Sequence, residues 1–205
     1  MKIGVLGGTF DPVHLGHIGM AEEARYALGL AEVIMVPAGQ PMSKVDRPIT
    51  PAEHRINMLR LAVKDKSRLA VSAVETERPG PSFTIDTIAA FQKKFGDKAE
   101  IYFILGWDSL EQLPEWREPA RLAAMCYLVA VPRPGCPRPD MAALESKIPG
   151  VSKKVIFLTR PNIDISATAI KETIARGETI GQLVPGPVAE YIRTHKLYLP
   201  AGGRP

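Results

Sequence analysis

Short apolar runs alternate along this chain with longer stretches in which apolar residues return every three or four positions. The runs predict strands at Lys2–Leu6, Val33–Val36, Leu69–Ala73, Ile101–Leu105, Tyr127–Val131 and Val155–Leu158. The stretches between them predict helices near Leu15–Leu28, Pro51–Val63, Ile85–Phe95, Arg121–Met125, Ala167–Arg176 and Val188–His195. Such alternation gives a mostly parallel sheet with helices on both faces, a doubly wound α/β fold of the Rossmann-like kind. Ligands of such sheets sit beyond the carboxyl ends of the strands, where the strand order reverses.

Several boundaries carry their own chemistry. Thr50-Pro51-Ala52-Glu53 reads as a capping box with proline at the first helical position. Gly96 and Gly177 read as helix stops. Four prolines between Pro132 and Pro139 demand a loop or an extended connector. There is no repeat and no low-complexity segment. The 205 residues suit one core and are short for two. A single domain over 1–205 is therefore expected, its C-terminal part from about 160 to 198 holding the last two helices.

Composition changes this picture little. With 45% hydrophobic and 23% charged residues the chain reads as an ordinary globular protein. No apolar run reaches membrane-span length, and the N-terminus goes straight into a strand rather than a signal peptide. Cys126 and Cys136 make neither a disulfide framework nor a metal spacing, so a reducing cytoplasm is the expected setting. The net charge of +4 suits a polyanionic ligand and, equally, a mildly basic surface. No basic, aromatic-interleaved patch argues for nucleic acid.

The chemistry concentrates after the first strand, in Gly7-Gly8-Thr9-Phe10-Asp11-Pro12-Val13-His14-Leu15-Gly16-His17. A glycine turn here brings backbone N–H groups close to a ligand, and the following helix start favours an anion. His14 and His17 share one face of the first helical turn. Two imidazoles beside an anion site suggest phosphate chemistry. Neither G-x-G-x-x-G after the first strand nor G-x-x-x-x-G-K-S/T anywhere is present.

Four further stretches sit where a ligand would meet them. Lys44 lies in the proline- and glycine-stiffened loop Pro37–Lys44 and can reach phosphates as a point charge, although a solvated loop lysine fits its spacing as well. In Pro81-Ser82-Phe83-Thr84-Ile85-Asp86-Thr87, Ser82 or Thr84 can cap a helix whose N–H groups suit a carboxylate. After the fourth strand, Gly106 allows close approach, Asp108 supplies a polar contact, and Trp116 offers a flat face; Trp107 reads as core. Ser166 reads as a helix cap, with Thr168 and Lys171 on one face of the helix it starts.

The stretch Gly7–His17 resembles the G-T-F-D-P-x-H-x-G-H signature of the nucleotidyltransferase superfamily of adenylyl- and cytidylyltransferases, at every signature position. The others are similar to motifs of the bacterial nicotinate mononucleotide adenylyltransferases. The Lys44 loop resembles P-x-x-x-P-P-H-K, with Met42 and Ser43 in place of proline and histidine. Pro81–Thr87 resembles P-S-Y-T-x-D-T, and Asp108 and Trp116 match G-x-D…W. Ile165–Lys171 resembles I-S-S-T-x-I-R, with Ala167 and Lys171 replacing serine and arginine. The likeness spans nearly the whole chain.

What the resemblance implies is transfer of adenylate from ATP to nicotinate mononucleotide, giving deamido-NAD and pyrophosphate. It assigns Gly7, Gly8, Thr9, Phe10, His14, His17, Ser166, Thr168 and Lys171 to ATP, with His14, His17 and Lys44 as catalytic groups. It assigns Thr84 to the nicotinate carboxylate, Trp116 to stacking, and Asp108 and Arg133 to the mononucleotide. Mg²⁺ is expected on the ATP phosphates, keeping most of its waters, with no protein ligand set of its own. Other acceptors, such as nicotinamide mononucleotide or phosphopantetheine, and a non-catalytic nucleotide sensor remain the alternative readings.

Overall fold

The computed structural model describes residues 1–40, 49–96 and 98–200. Its six strands are β1 (Lys2–Gly8), β2 (Glu32–Pro37), β3 (Leu69–Val71), β4 (Glu100–Gly106), β5 (Tyr127–Val131) and β6 (Val155–Phe157). They form one sheet in the order β3-β2-β1-β4-β5-β6, and every pairing is parallel. The chain begins at the centre, winds out to one edge, then crosses back and winds out to the other. The reversal between β1 and β4 opens a crevice at the carboxyl ends of both strands.

The helices are α1 (Leu15–Leu28), α2 (Ala52–Val63), α3 (Thr84–Phe95), α4 (Trp107–Glu111), α5 (Pro119–Met125), α6 (Met141–Lys147), α7 (Ala167–Ala175) and α8 (Gly186–Thr194). Alternate strand residues feed two separate apolar layers. Leu6, Met35, Ile104 and Val129 pack with residues of α1, α2, α7 and α8. Val5, Ile34, Phe103 and Leu128 pack with residues of α3, α5 and α6. Covered on both faces, the central strands read as unbroken apolar runs, which is why the sequence shows them so clearly. Among the described residues no helix is long and apolar enough to cross a membrane.

The structure corrects several local readings. Gly7 and Gly8 do not turn: they are the last two residues of β1, in register with Val36 and Pro37. The turn comes after them, and its left-handed residue is Phe10, at φ 50°. The predicted capping box at Thr50 does not form, because the cap position of α2 is Pro51 and no side chain bonds into that turn. Ser82 does not cap α3 either; its hydroxyl accepts from Gly39 N–H at 2.9 Å and Gln40 N–H at 3.3 Å, tying the loop after β2 to the head of α3. Helices α4 and α6 are additional to the reading. The second had a legible signal in Asp140, whose carboxylate accepts from the N–H groups of Ala142 and Ala143.

Candidate functional site

The crevice holds a cavity of about 770 Å³, within the size range of small-molecule sites. Residues from the ends of β1, β2 and β4, from the segment after β5 and from the starts of α1, α3 and α7 line it. Three helix starts therefore face one space, each adding the positive end of its dipole.

His14 is the cap residue of α1, and its backbone N–H donates to Nδ1 of His17 at 3.3 Å. An accepting Nδ1 carries no proton, so the proton of a neutral His17 ring sits on Nε2. The two rings stack at 3.7 Å and Phe10 meets His17 edge-on at 4.8 Å, which fixes the ring plane. A β-carbon at Gly16 would stand 3.0 Å from Nδ1 of His14, so any larger residue there would push on that ring.

His14 is 7% exposed, and its Nδ1 is buried with no hydrogen-bond partner among the described residues. Burial, aided by the positive charge of Arg133, pushes its pKa down to about 4. It is neutral at physiological pH and offers an anion a hydrogen bond rather than a charge. Stability follows from the same shift. The unfolded chain takes up this proton near pH 6.5 and the folded chain only near pH 4, so acid favours unfolding between those values. The loss across that window is expected to be on the order of 3 kcal/mol. Denaturant midpoints measured from pH 7 to pH 4 should fall less steeply for His14→Gln than for the unaltered chain.

Asp108 and Arg133, also in the lining, form an ion pair of 2.7 Å. A β-carbon at Gly106 would collide with the Asp108 carboxylate, so a larger residue there would displace that side chain. Trp116 is half-buried beside the cavity, its ring edge-on to Phe103 at 6.0 Å. Thr84 opens α3, whose first turn receives no side-chain cap. Ser166 caps α7 as expected, accepting from Ala169 N–H at 3.1 Å, and Thr168 joins it in the lining.

Two predicted ligand residues stand elsewhere. Phe10 is 1% exposed and lies beneath Gly8 as a packing residue, supporting His17 instead of meeting a ligand. Lys171 is absent from the lining because its ammonium is bound to Asp11 at 2.5 Å. Lys44, with its neighbours Met42 and Ser43, lies outside the described residues.

The sequence reading also missed two buried groups. Glu75 lines the cavity at 7% exposure and accepts from the Thr87 hydroxyl at 2.6 Å; no motif marks it. Arg55 is 2% exposed and donates to the carbonyls of Thr50, Thr9 and Ala38 at 2.8, 2.9 and 2.7 Å. Its signal was available, as a charged residue on the same face of α2 as Met58, Leu59 and Ala62.

The model of the cytidylyltransferase-like family matches residues 5–173. A probable nicotinate-nucleotide adenylyltransferase of Dehalococcoides mccartyi is 45% identical over 198 residues, with 97% of each chain covered. One of Thermomicrobium roseum is 42% identical over 197 residues, covering 96% of this chain and 91% of that one. The chain belongs to the nicotinate-nucleotide adenylyltransferase family. Among solved structures, the fold is that of the Plasmodium falciparum nicotinic acid mononucleotide adenylyltransferase complexed with NaAD, with a TM-score of 0.78 at 20% identity over 96% and 97% of the two chains. A putatively assigned family member from Vibrio parahaemolyticus superposes with a TM-score of 0.69 at 17% identity, over 96% and 94%.

Proposed function

We propose that this protein transfers adenylate from ATP to nicotinate mononucleotide, releasing pyrophosphate and forming deamido-NAD, a step of NAD biosynthesis. One observation carries the reading: the stacked histidines at the start of α1 and the side-chain-free first turn of α3 face the same cavity. The first suits the triphosphate, and the second suits a carboxylate beside Thr84 with the pyridine ring against Trp116. A protein of the same fold is described in complex with NaAD, the product of such a reaction.

The acceptor's phosphate oxygen attacks the α-phosphorus of ATP in line, and the bond to the pyrophosphate oxygen breaks. A phosphate monoester has its second pKa near 6 and is already ionised at neutral pH, so no general base is needed. The protein's task is positioning and stabilising charge. In this reading Nε2–H of His17 meets the α-phosphate, where charge develops. His14 serves the β- and γ-phosphates with Lys44. Ser166, Thr168 and the glycines of β1 border the nucleotide, and Asp108 with Arg133 borders the mononucleotide.

Mg²⁺ entering with ATP would supply positive charge against that of the phosphates. Among the described residues no three histidine, cysteine or acidic side chains converge.

The experiment is pyrophosphate release from ATP and Mg²⁺ with nicotinate mononucleotide, run beside nicotinamide mononucleotide. The acid is expected to be used with the higher kcat/KM. Equal use of both would remove the carboxylate assignment at Thr84, and release with neither would remove the reaction.

A further inference from the structure

Outside the cavity lining lies a buried charged cluster to which the reaction assigns no task. Asp11 is 4% exposed, and both its oxygens are taken. Oδ2 accepts from the Lys171 ammonium at 2.5 Å and from Thr50 N–H at 3.4 Å, while Oδ1 accepts from the Tyr198 hydroxyl at 2.7 Å. The Lys171 ammonium also stands 5.0 Å from the centroid of the Tyr198 ring. Arg55 completes the cluster by joining the carbonyls of Thr9 and Ala38. The loop after β1, the loop after β2, the approach to α2, helix α7 and the segment after α8 thus meet at one point.

An ionised carboxylate this deep persists only when its partners offset the lost hydration. Lysine suits the place: it supplies one compact charge to one oxygen and leaves the other to Tyr198. With its ammonium held by Asp11 and set against an aromatic face, Lys171 is engaged away from the cavity. Asp11, in turn, lies in the loop that leads from β1 to His14 and His17.

We propose that Lys171 is a positioning residue, acting on the reaction through Asp11 by holding the loop that carries the two histidines, and not as a ligand of the ATP phosphates. Tyr198 shares that role from the C-terminal segment. The inference rests on the reading of the cavity as an adenylyl-transfer site.

The test is a double-mutant cycle of Lys171→Met and Asp11→Asn, with Tyr198→Phe alongside. Each is measured by ATP calorimetry and by kcat and KM for pyrophosphate release. Lys171→Met should lower kcat by roughly ten- to a hundredfold, the effect of misplaced catalytic groups. ATP affinity should stay within about twofold, and the double variant should be no worse than its weaker parent, because contacting residues of one network are not additive. Tyr198→Phe should lower kcat in the same sense with ATP affinity unchanged.

A Lys171→Met variant that loses about tenfold or more in ATP affinity, and does so equally in the Asp11→Asn background, overturns the proposal, since independent effects add. If Lys171→Met does not fold, Lys171→Arg decides on the same readouts. A drop in ATP affinity alone refutes the positioning role, whereas a drop in kcat alone upholds it. Should the unaltered protein turn over neither mononucleotide, the reaction is wrong, and ATP calorimetry on the same variants still decides whether Lys171 touches phosphate.

Discussion

His17→Ala is expected to lower kcat for pyrophosphate release by roughly 10²–10³, the usual cost of removing one preorganised transition-state donor. The size of the effect follows from how the ring is held. Nδ1 accepts from His14 N–H, the His14 ring stacks on one face, and Phe10 stands at the edge. A donor fixed in this way needs no reorganisation as charge develops on the α-phosphate. Alanine is a good helix residue at the third position of α1, so folding should survive the change. A lower kcat with KM for ATP nearly unmoved would identify a transition-state contact. A raised KM with kcat unchanged would make His17 a ground-state binding group and shift the catalytic role elsewhere.

The largest expected effect on stability lies at Arg55. Arg55→Met keeps much of the side chain's volume but removes its donors, leaving the carbonyls of Thr9, Thr50 and Ala38 without that partner. It also removes a positive charge near the buried Asp11, which already needs its Lys171, Thr50 and Tyr198 bonds to overcome burial and stay below the ordinary carboxylate pKa. Breaking a buried charged network by removing one partner costs about 3–5 kcal/mol. For a chain of this size that is a fall in Tm on the order of 10 °C. Arg193 provides the control, because its ion pair with Glu190 is largely exposed and Arg193→Ala should melt close to the unaltered protein. An Arg55→Met variant that melted alongside Arg193→Ala would show that the buried cluster contributes little.

Much of this was legible before any coordinates, and the reasons differ from residue to residue. The six strands announced themselves because the central ones are buried on both faces. His14 and His17 could be paired on spacing alone, since residues three apart on a helix share a face. Ser166 was legible as a cap because the position before an amphipathic stretch selects its chemistry. The glycines were harder. A Gly-Gly pair before a helix reads as a turn, yet here the strand continues through both and Phe10 takes the left-handed conformation. The same permissiveness that lets glycine turn also lets it leave a strand end bare beside a ligand.

Local spacing, in short range along the chain, thus determined the strands, the helix starts, the histidine pair and the family's motifs, because each depends on neighbours within one turn or one pleat. Tertiary structure alone decided where the long side chains went. Asp108 meets Arg133 across 25 positions, and Lys171 meets Asp11 across 160. Arg55 reaches Thr9 and Ala38 only because parallel pairing sets the ends of β1 and β2 side by side above α2. A charged side chain several bonds long can satisfy a phosphate or a buried carboxylate equally well by its own chemistry. Which one it reaches is settled by the packing of the sheet and helices, through the cost of leaving Asp11 buried and unpaired.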